Sequence, residues 1–198
     1  MLKLSATSPF EKICAKKQGL NRAVLEQVIT LALEIAREGR EGRKIGTLFT
    51  VCDAPAVLRR SKCLILDPLL GHPDEVKHID DPDMRETIKE LAQLDGAFVV
   101  SDDGVVISAC RYLNASSEGI HLPLGLGSRH MAAASISRET NAIAVVVSES
   151  SLVRVFDHGE LVSEIIPELW MLSRYSLHLT QPYTETTEEQ LTVLSKEE

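Results

Sequence analysis

Aromatic residues make up only 4% of the 198 residues, with a single tryptophan, so aliphatic side chains have to fill the interior. Cysteine is also sparse. Cys14, Cys52, Cys63 and Cys110 stand far apart, with no CxxC pair and no histidine at zinc-finger spacing, which excludes a zinc ribbon or a disulfide framework. They read as reduced thiols of a cytosolic protein, with Cys52 and Cys110 as small apolar residues inside strand-like runs. No long apolar stretch or signal-peptide pattern occurs, so neither a membrane span nor export is expected, and the expected location is the cytoplasm. Basic charge is nowhere concentrated. The chain carries 21 Lys and Arg against 29 Asp and Glu, a net charge of -8, and its longest basic clusters are only pairs, such as Lys16-Lys17 and Arg59-Arg60. Duplex nucleic acid is therefore an unexpected partner, whereas a few converging cations and backbone amides still suffice for a small nucleotide. No GxxxxGK(S/T) run is present, which excludes Walker-type phosphate chemistry. Asp80, Asp81 and Asp83 lack the glycine and terminal glutamate of an EF-hand and read as helix-start signals. His72, His78, His121, His158 and His178 form no HxxxH or HExxH pair.

What is present is ordinary globular composition, 44% apolar and 25% charged, in a chain long enough for one good core. Residues 1–19 lack periodicity and read as an arm or a cut domain boundary. Asn21 then caps a helix whose stripe is Val24, Val28, Leu31 and Ile35, ended by Gly39 and Gly42. A strand is expected over Ile45–Cys52, then a short helix opened by Asp53 and Pro55, then a brief buried strand over Cys63–Leu66. After a turn-rich stretch, Met84, Ile88 and Leu91 mark a second amphipathic helix, ending near Leu94. Ala97–Ser101 and Val105–Leu113 pair as a hairpin around Asp102-Asp103-Gly104, and Ser128 starts a helix running to about Thr140. Ala142–Ser148 has the continuous apolar pattern of a strand covered on both faces, and Leu152–Phe156 and Glu160–Ile165 follow as a meander. Pro167–Leu179 fits a last helix or strand, and the end is a polar, acidic, mobile tail. Helices between early strands and a late meander predict an α/β (α+β) domain with a mixed sheet flanked by helices. The expected division is an arm over 1–20, the domain over 21–180 and the tail over 181–198.

Three places are equipped for chemistry. Leu124-Gly125-Leu126-Gly127-Ser128-Arg129-His130 is a glycine loop leading straight into a helix, where unpaired N–H groups and the positive dipole end receive anions. Arg129 and His130 lie in the first turn, where positive charge opposes the dipole by about 0.3–1 kcal/mol, a placement an anionic ligand would explain. A plain serine cap with two solvated side chains is the alternative. Asp95, beside Gly96, is placed to hold a divalent metal or accept a ribose hydroxyl proton, or else is a solvated turn residue. Glu149 follows the buried strand at an edge where ligands of α/β sheets bind, and it too has a turn role as its alternative.

Together these segments resemble the diadenylate cyclase domain family, whose signatures are a DGA triplet and an RHR triplet preceded by a small hydroxyl residue. The motifs stand here as Asp95-Gly96-Ala97 and Ser128-Arg129-His130-Met131, with Arg111-Tyr112-Leu113 between them and Val147-Ser148-Glu149 after. The wording is closest to the archaeal branch. The resemblance implies the family's mixed-sheet fold and the condensation of two ATP into cyclic di-AMP with Mn²⁺ or Mg²⁺. It also implies a homodimer or higher homo-oligomer that pairs two ATP-loaded domains face to face. It makes Asp95 the catalytic residue and, with Glu149, a metal ligand. Gly96, Ala97, Tyr112, Leu113, Gly127, Ser128, Arg129, His130 and Ser148 would bind nucleotide, Ser128 to His130 holding the triphosphate. Met131 replaces the second arginine of the triplet, so one charged contact is missing. That departure leaves a catalytically silent nucleotide-binding or sensing module as the rival, against which the retention of Asp95 argues.

Overall fold

The computed structural model describes residues 20–64, 66–114, 116, 118–167, 183–188 and 191–196. Cys14, the N-terminal arm up to residue 19 and the expected element over 168–179 lie outside them. The chain divides into two units at Pro167.

The first unit begins with α1 (Arg22–Glu38). Asn21 caps it by accepting from the Ala23 amide, and Gly39 ends it at a φ of 59°. Then come β1 (Thr47–Val51), α2 (Ala54–Arg59), β2 (Ser61–Cys63), a 3-10 turn (Asp74–Val76) and α3 (Pro82–Leu91). β3 (Ala97–Val100), β4 (Val106–Leu113), α4 (Ser128–Glu139), β5 (Ile143–Val147), β6 (Val153–Asp157) and β7 (Glu160–Ile165) complete it. Seven strands form one sheet in the order β2-β4-β3-β1-β5-β6-β7, with β1 and β3 parallel and every other pair antiparallel. The mixed α/β architecture expected from the sequence is the one observed.

β1, β3 and β5 are buried at every position because helices cover both faces of the sheet centre. Side chains alternate across a strand, so Leu48, Ala97, Val99, Ala144 and Val146 face one way and pack with Ala133, Ala134 and Ile136 of α4. Phe49 and Phe98 face the other way and stack at 5.0 Å, on the side that α1 covers. α3 is tied to α1 by ion pairs of Glu34 with Arg85 and Lys89.

Three local expectations are revised. The strand near Cys63 is not buried: among the described residues β2 is an edge strand paired only with β4, and Leu64 and Leu66 after it are exposed. Asp53 precedes α2 in the left-handed region and makes no side-chain cap; its carboxylate accepts from the Asn141 amide instead, at 2.9 Å. In the second unit, β8 (Tyr183–Glu188) and β9 (Leu191–Lys196) form an antiparallel hairpin where the acidic composition pointed to a tail.

The β3–β4 hairpin carries a bulge on its β4 side. Ala97 pairs with Arg111 and Val99 with Ser108, so two steps on β3 oppose three on β4, and Cys110 takes a φ of 53°. Asp67 satisfies the bulged segment by accepting from the Ala109 amide at 3.1 Å and from the Ser108 hydroxyl. Burial is the first cause that pushes the Cys110 thiol pKa up, with the Asp67 charge adding to it. Cys110 is thus a bulge residue rather than one inside a regular strand.

Candidate active site

A cleft opens at one end of the sheet, lined by Leu48, Leu64, Asp95, Gly96, Ala97, Arg111, Tyr112, Leu113, Ser128, Arg129 and Ala132. Strand register explains its floor. Leu48, Ala97, Arg111 and Cys63 form one row across four strands, at the first turns of β1 and β3 and the far end of β4. This is the amino end of the parallel pair, not the carboxyl end that doubly wound sheets use. β5 runs against β1, pairing Val147 with Thr47, and so delivers Glu149 to the same end.

The roof is the start of α4. Gly127, not Ser128, is its N-cap, and among the described residues no side chain caps the helix, so the Ser128 and Arg129 amides are left for an anion. The Gly127 carbonyl accepts from the His130 and Met131 amides, closing the turn, and among the described residues beyond its chain neighbours no atom lies within 4 Å of where a Cβ on Gly127 would be.

Successive residues on a helix turn by about 100°, so Ser128, Arg129 and Ala132 share the cleft face and His130 does not. His130 is buried at 6% exposure, its ring edge-on to Phe156, with Nε2 3.2 Å from Nη1 of Arg154. Arg154 in turn donates from Nε to Glu164 at 2.6 Å. Since Arg154 can only donate, the imidazole accepts at Nε2 and carries its proton on Nδ1, which is buried without a partner among the described residues. Met131 packs against the same core.

Burial above all, then the charges of Arg154 and Arg129, push the His130 pKa below the ordinary value of about 6.5; Glu164 opposes them. The folded protein therefore holds His130 neutral while the unfolded chain takes up a proton below about pH 6.5. This contribution to stability is complete above that pH and is lost as pH falls towards the depressed folded value. The melting-temperature advantage of wild type over His130→Gln is expected to shrink between pH 7.5 and 5. A gap that does not change with pH would rule out a neutral buried imidazole.

The charged rim converges on one guanidinium. Arg129 reaches Glu149 Oε1 through Nη1 at 3.0 Å and Asp95 Oδ1 through Nη2 at 3.8 Å. Asp95 also accepts from the Gly96 amide at 3.1 Å. Tyr112 is half exposed at the cleft edge with the Lys62 ammonium 5.4 Å above its ring, and Leu113 is buried. Ser148 sits apart from the cleft lining and shapes the β5–β6 turn through Ser150.

Sequence reasoning missed Gly46, Leu48, Leu64, Arg111 and Ala132. A Cβ on Gly46 would stand 2.6 Å from Nη1 of Arg129 and 3.2 Å from Cγ of Glu149, so this glycine lets the pair close over β1. A glycine directly before a strand was its available signal. Arg111 lines the cleft but is spent on structure, donating to the Ser61 carbonyl and hydroxyl and the Leu58 carbonyl.

An apolar floor, an uncapped helix start and two carboxylates at the rim define an α/β domain whose cleft suits a small anionic ligand. More narrowly, the chain belongs to the DAC family, whose model, DisA bacterial checkpoint controller nucleotide-binding, matches residues 34–161. It is 49% identical over 147 residues to the diadenylate cyclase of Methanocaldococcus jannaschii, covering 74% of this chain and 46% of that protein. With the diadenylate cyclase of Haloferax volcanii it shares 45% over 150 residues, covering 74% and 54%. The chain thus spans about half the length of the curated relatives it matches. A double mutant of DacA from Staphylococcus aureus has the same fold, with a TM-score of 0.50 at 21% identity over 77% of this chain and 93% of that one. Among the described residues no helix is long and apolar enough to cross a membrane.

Proposed function

We propose that this chain condenses two ATP into one cyclic di-AMP and two pyrophosphates, in the cytoplasm, as a face-to-face pair of chains. The observation that carries the reading is the meeting of Asp95, Ser128, Arg129 and Glu149, from segments far apart in sequence, around one apolar cleft. Ala97, Leu48 and Leu113 form a floor for the adenine, with Tyr112 at its edge. The amides and side chains of Ser128 and Arg129 bind the triphosphate, while His130 anchors the turn from behind through Arg154. Asp95 takes the proton of the 3′-hydroxyl as that oxygen attacks the α-phosphorus of the ATP in the opposite chain and pyrophosphate leaves. A second, symmetric attack closes the ring.

Asp95 and Glu149 fit a hard divalent cation such as Mn²⁺ or Mg²⁺: both are carboxylates, and among the described residues no third His, Cys, Asp or Glu joins them. When bound, such an ion neutralises charge developing on the phosphates. Each chain supplies one set of Asp95, Ser128, Arg129 and Glu149, and the rim of their cleft is open, with the Asp95 side chain 81% exposed. A product with two-fold symmetry then requires a second copy.

The test is the purified full chain with ATP and Mn²⁺. Cyclic di-AMP and pyrophosphate are expected at one to two, with a rate per chain that rises with protein concentration. ATP binding without either product would leave only the silent sensing module.

A further inference from the structure

One guanidinium serves both acidic groups of the cleft. Arg129 holds Glu149 at 3.0 Å and lies 3.8 Å from Asp95, so the two carboxylates assigned above to a divalent cation already share a positive charge. Gly46 leaves the guanidinium room in this position, since a Cβ there would stand 2.6 Å from its Nη1. Two carboxylates alone make a poor site for Mn²⁺ or Mg²⁺, which take about six oxygens and draw the remainder from water and phosphates. Arg129 is also the second residue of α4, a cation on the positive end of the helix dipole. An anion arriving at that helix start relieves the repulsion and offers the guanidinium better acceptors, since phosphate oxygens bind it in a bidentate fork.

We propose that Arg129 competes with the divalent cation for Asp95 and Glu149, and that a triphosphate at the start of α4 ends the competition by drawing the guanidinium to itself. The inference rests on the reading of Asp95 and Glu149 as metal ligands. Metal without nucleotide is then held off, and nucleotide and metal favour each other's binding through a shared side chain. The effect is modest. The side chains of Arg129, Asp95 and Glu149 are 38%, 81% and 67% exposed, and ion pairs in such settings are readily broken, so the penalty on metal binding is about three- to fivefold.

Mn²⁺ binding to the full chain without nucleotide, followed by the electron paramagnetic resonance signal of free Mn²⁺, tests this. Arg129→Gln is expected to bind Mn²⁺ about three- to fivefold more tightly than wild type. Arg129→Lys keeps the charge and should stay close to wild type, while Asp95→Asn placed on Arg129→Gln should abolish the gain. Calorimetry in EDTA with 3′-deoxy-ATP, which lacks the attacking hydroxyl, should show the opposite sign: Arg129→Gln binds the nucleotide more weakly.

Equal Mn²⁺ affinity in wild type and Arg129→Gln overturns the competition. So does an equal gain in Arg129→Lys, which would make the effect one of shape rather than charge. A gain that survives Asp95→Asn overturns it together with the ligand assignment. Failure of the proposed reaction reads out separately, as wild type making no cyclic di-AMP from ATP and Mn²⁺.

Discussion

Asp95→Asn is expected to lower the rate of cyclic di-AMP formation by at least about a hundredfold while the protein melts within about 2 °C of wild type. The two halves of this expectation have separate grounds. The Asp95 side chain is 81% exposed, and its one ion pair among the described residues, with Arg129, is long at 3.8 Å. A solvated pair of that kind contributes little, about 0–1 kcal/mol, and the asparagine carbonyl still accepts from the Gly96 amide. Activity is another matter, because asparagine can neither take a hydroxyl proton nor carry the charge a divalent cation requires. Circular dichroism melting and product quantification on one preparation check both halves. Wild-type-like turnover would remove Asp95 from the reaction, and a large drop in melting temperature would show that the carboxylate is structural.

Gly96→Ala, one residue on, is expected to do the reverse and act through the fold. Gly96 has a φ of 110°, which L side chains rarely adopt, and a Cβ there would lie 2.6–2.8 Å from the Cys110 carbonyl carbon and Cα and the Arg111 nitrogen. These are backbone atoms of the bulged neighbouring strand, so no side chain can swing away. Strain and overlap together should cost about 3 kcal/mol or more, lowering the melting temperature by roughly 6–12 °C. Gly71→Ala is the internal reference: its φ is 84° but among the described residues beyond its chain neighbours nothing lies within 4 Å of the added carbon, so strain alone acts, about 1–2 kcal/mol. If the two variants melt alike, the close approach of β4 to Gly96 is not a constraint.

The contrast shows how differently two adjacent motif residues are encoded. Asp95-Gly96-Ala97 was visible as a triplet between an amphipathic helix and an apolar strand, and its carboxylate was a candidate on that ground alone. The reason for the glycine was not visible. It lies in the extra residue of β4 around Cys110, fourteen positions away, which brings backbone to the place a Cβ would take.

The glycine loop before α4 shows the same division. Its position at a helix start was legible from Gly125, Gly127 and Ser128, and an uncapped amino end is what the structure has there. Which of Ser128, Arg129 and His130 faces the cleft was not legible. A helix start tells the phase of its residues relative to one another but not which side the sheet covers. Packing of Ala133, Ala134 and Ile136 against β1, β3 and β5 fixes that phase, leaves Ser128, Arg129 and Ala132 in the cleft, and turns His130 towards Arg154 and Phe156. The edge position of β2 had no signal either, because a short apolar run reads alike whether its neighbours cover it or not.

The sequence by itself determined what depends on near neighbours: the capped helix after Asn21, the β3–β4 turn, the continuous apolar strand β5, the glycine-led start of α4, and the two motifs that identify the family. These follow from caps, periodicity and backbone freedom within a few residues. Only the tertiary structure decided that Gly46, Asp95, Arg129 and Glu149 share one rim, that the cleft opens at the amino end of β1 and β3, and that His130 faces inward. Those outcomes depend on strand register and helix phase between segments tens of residues apart, where the balance of packing over the whole sheet, rather than any local preference, selects the arrangement.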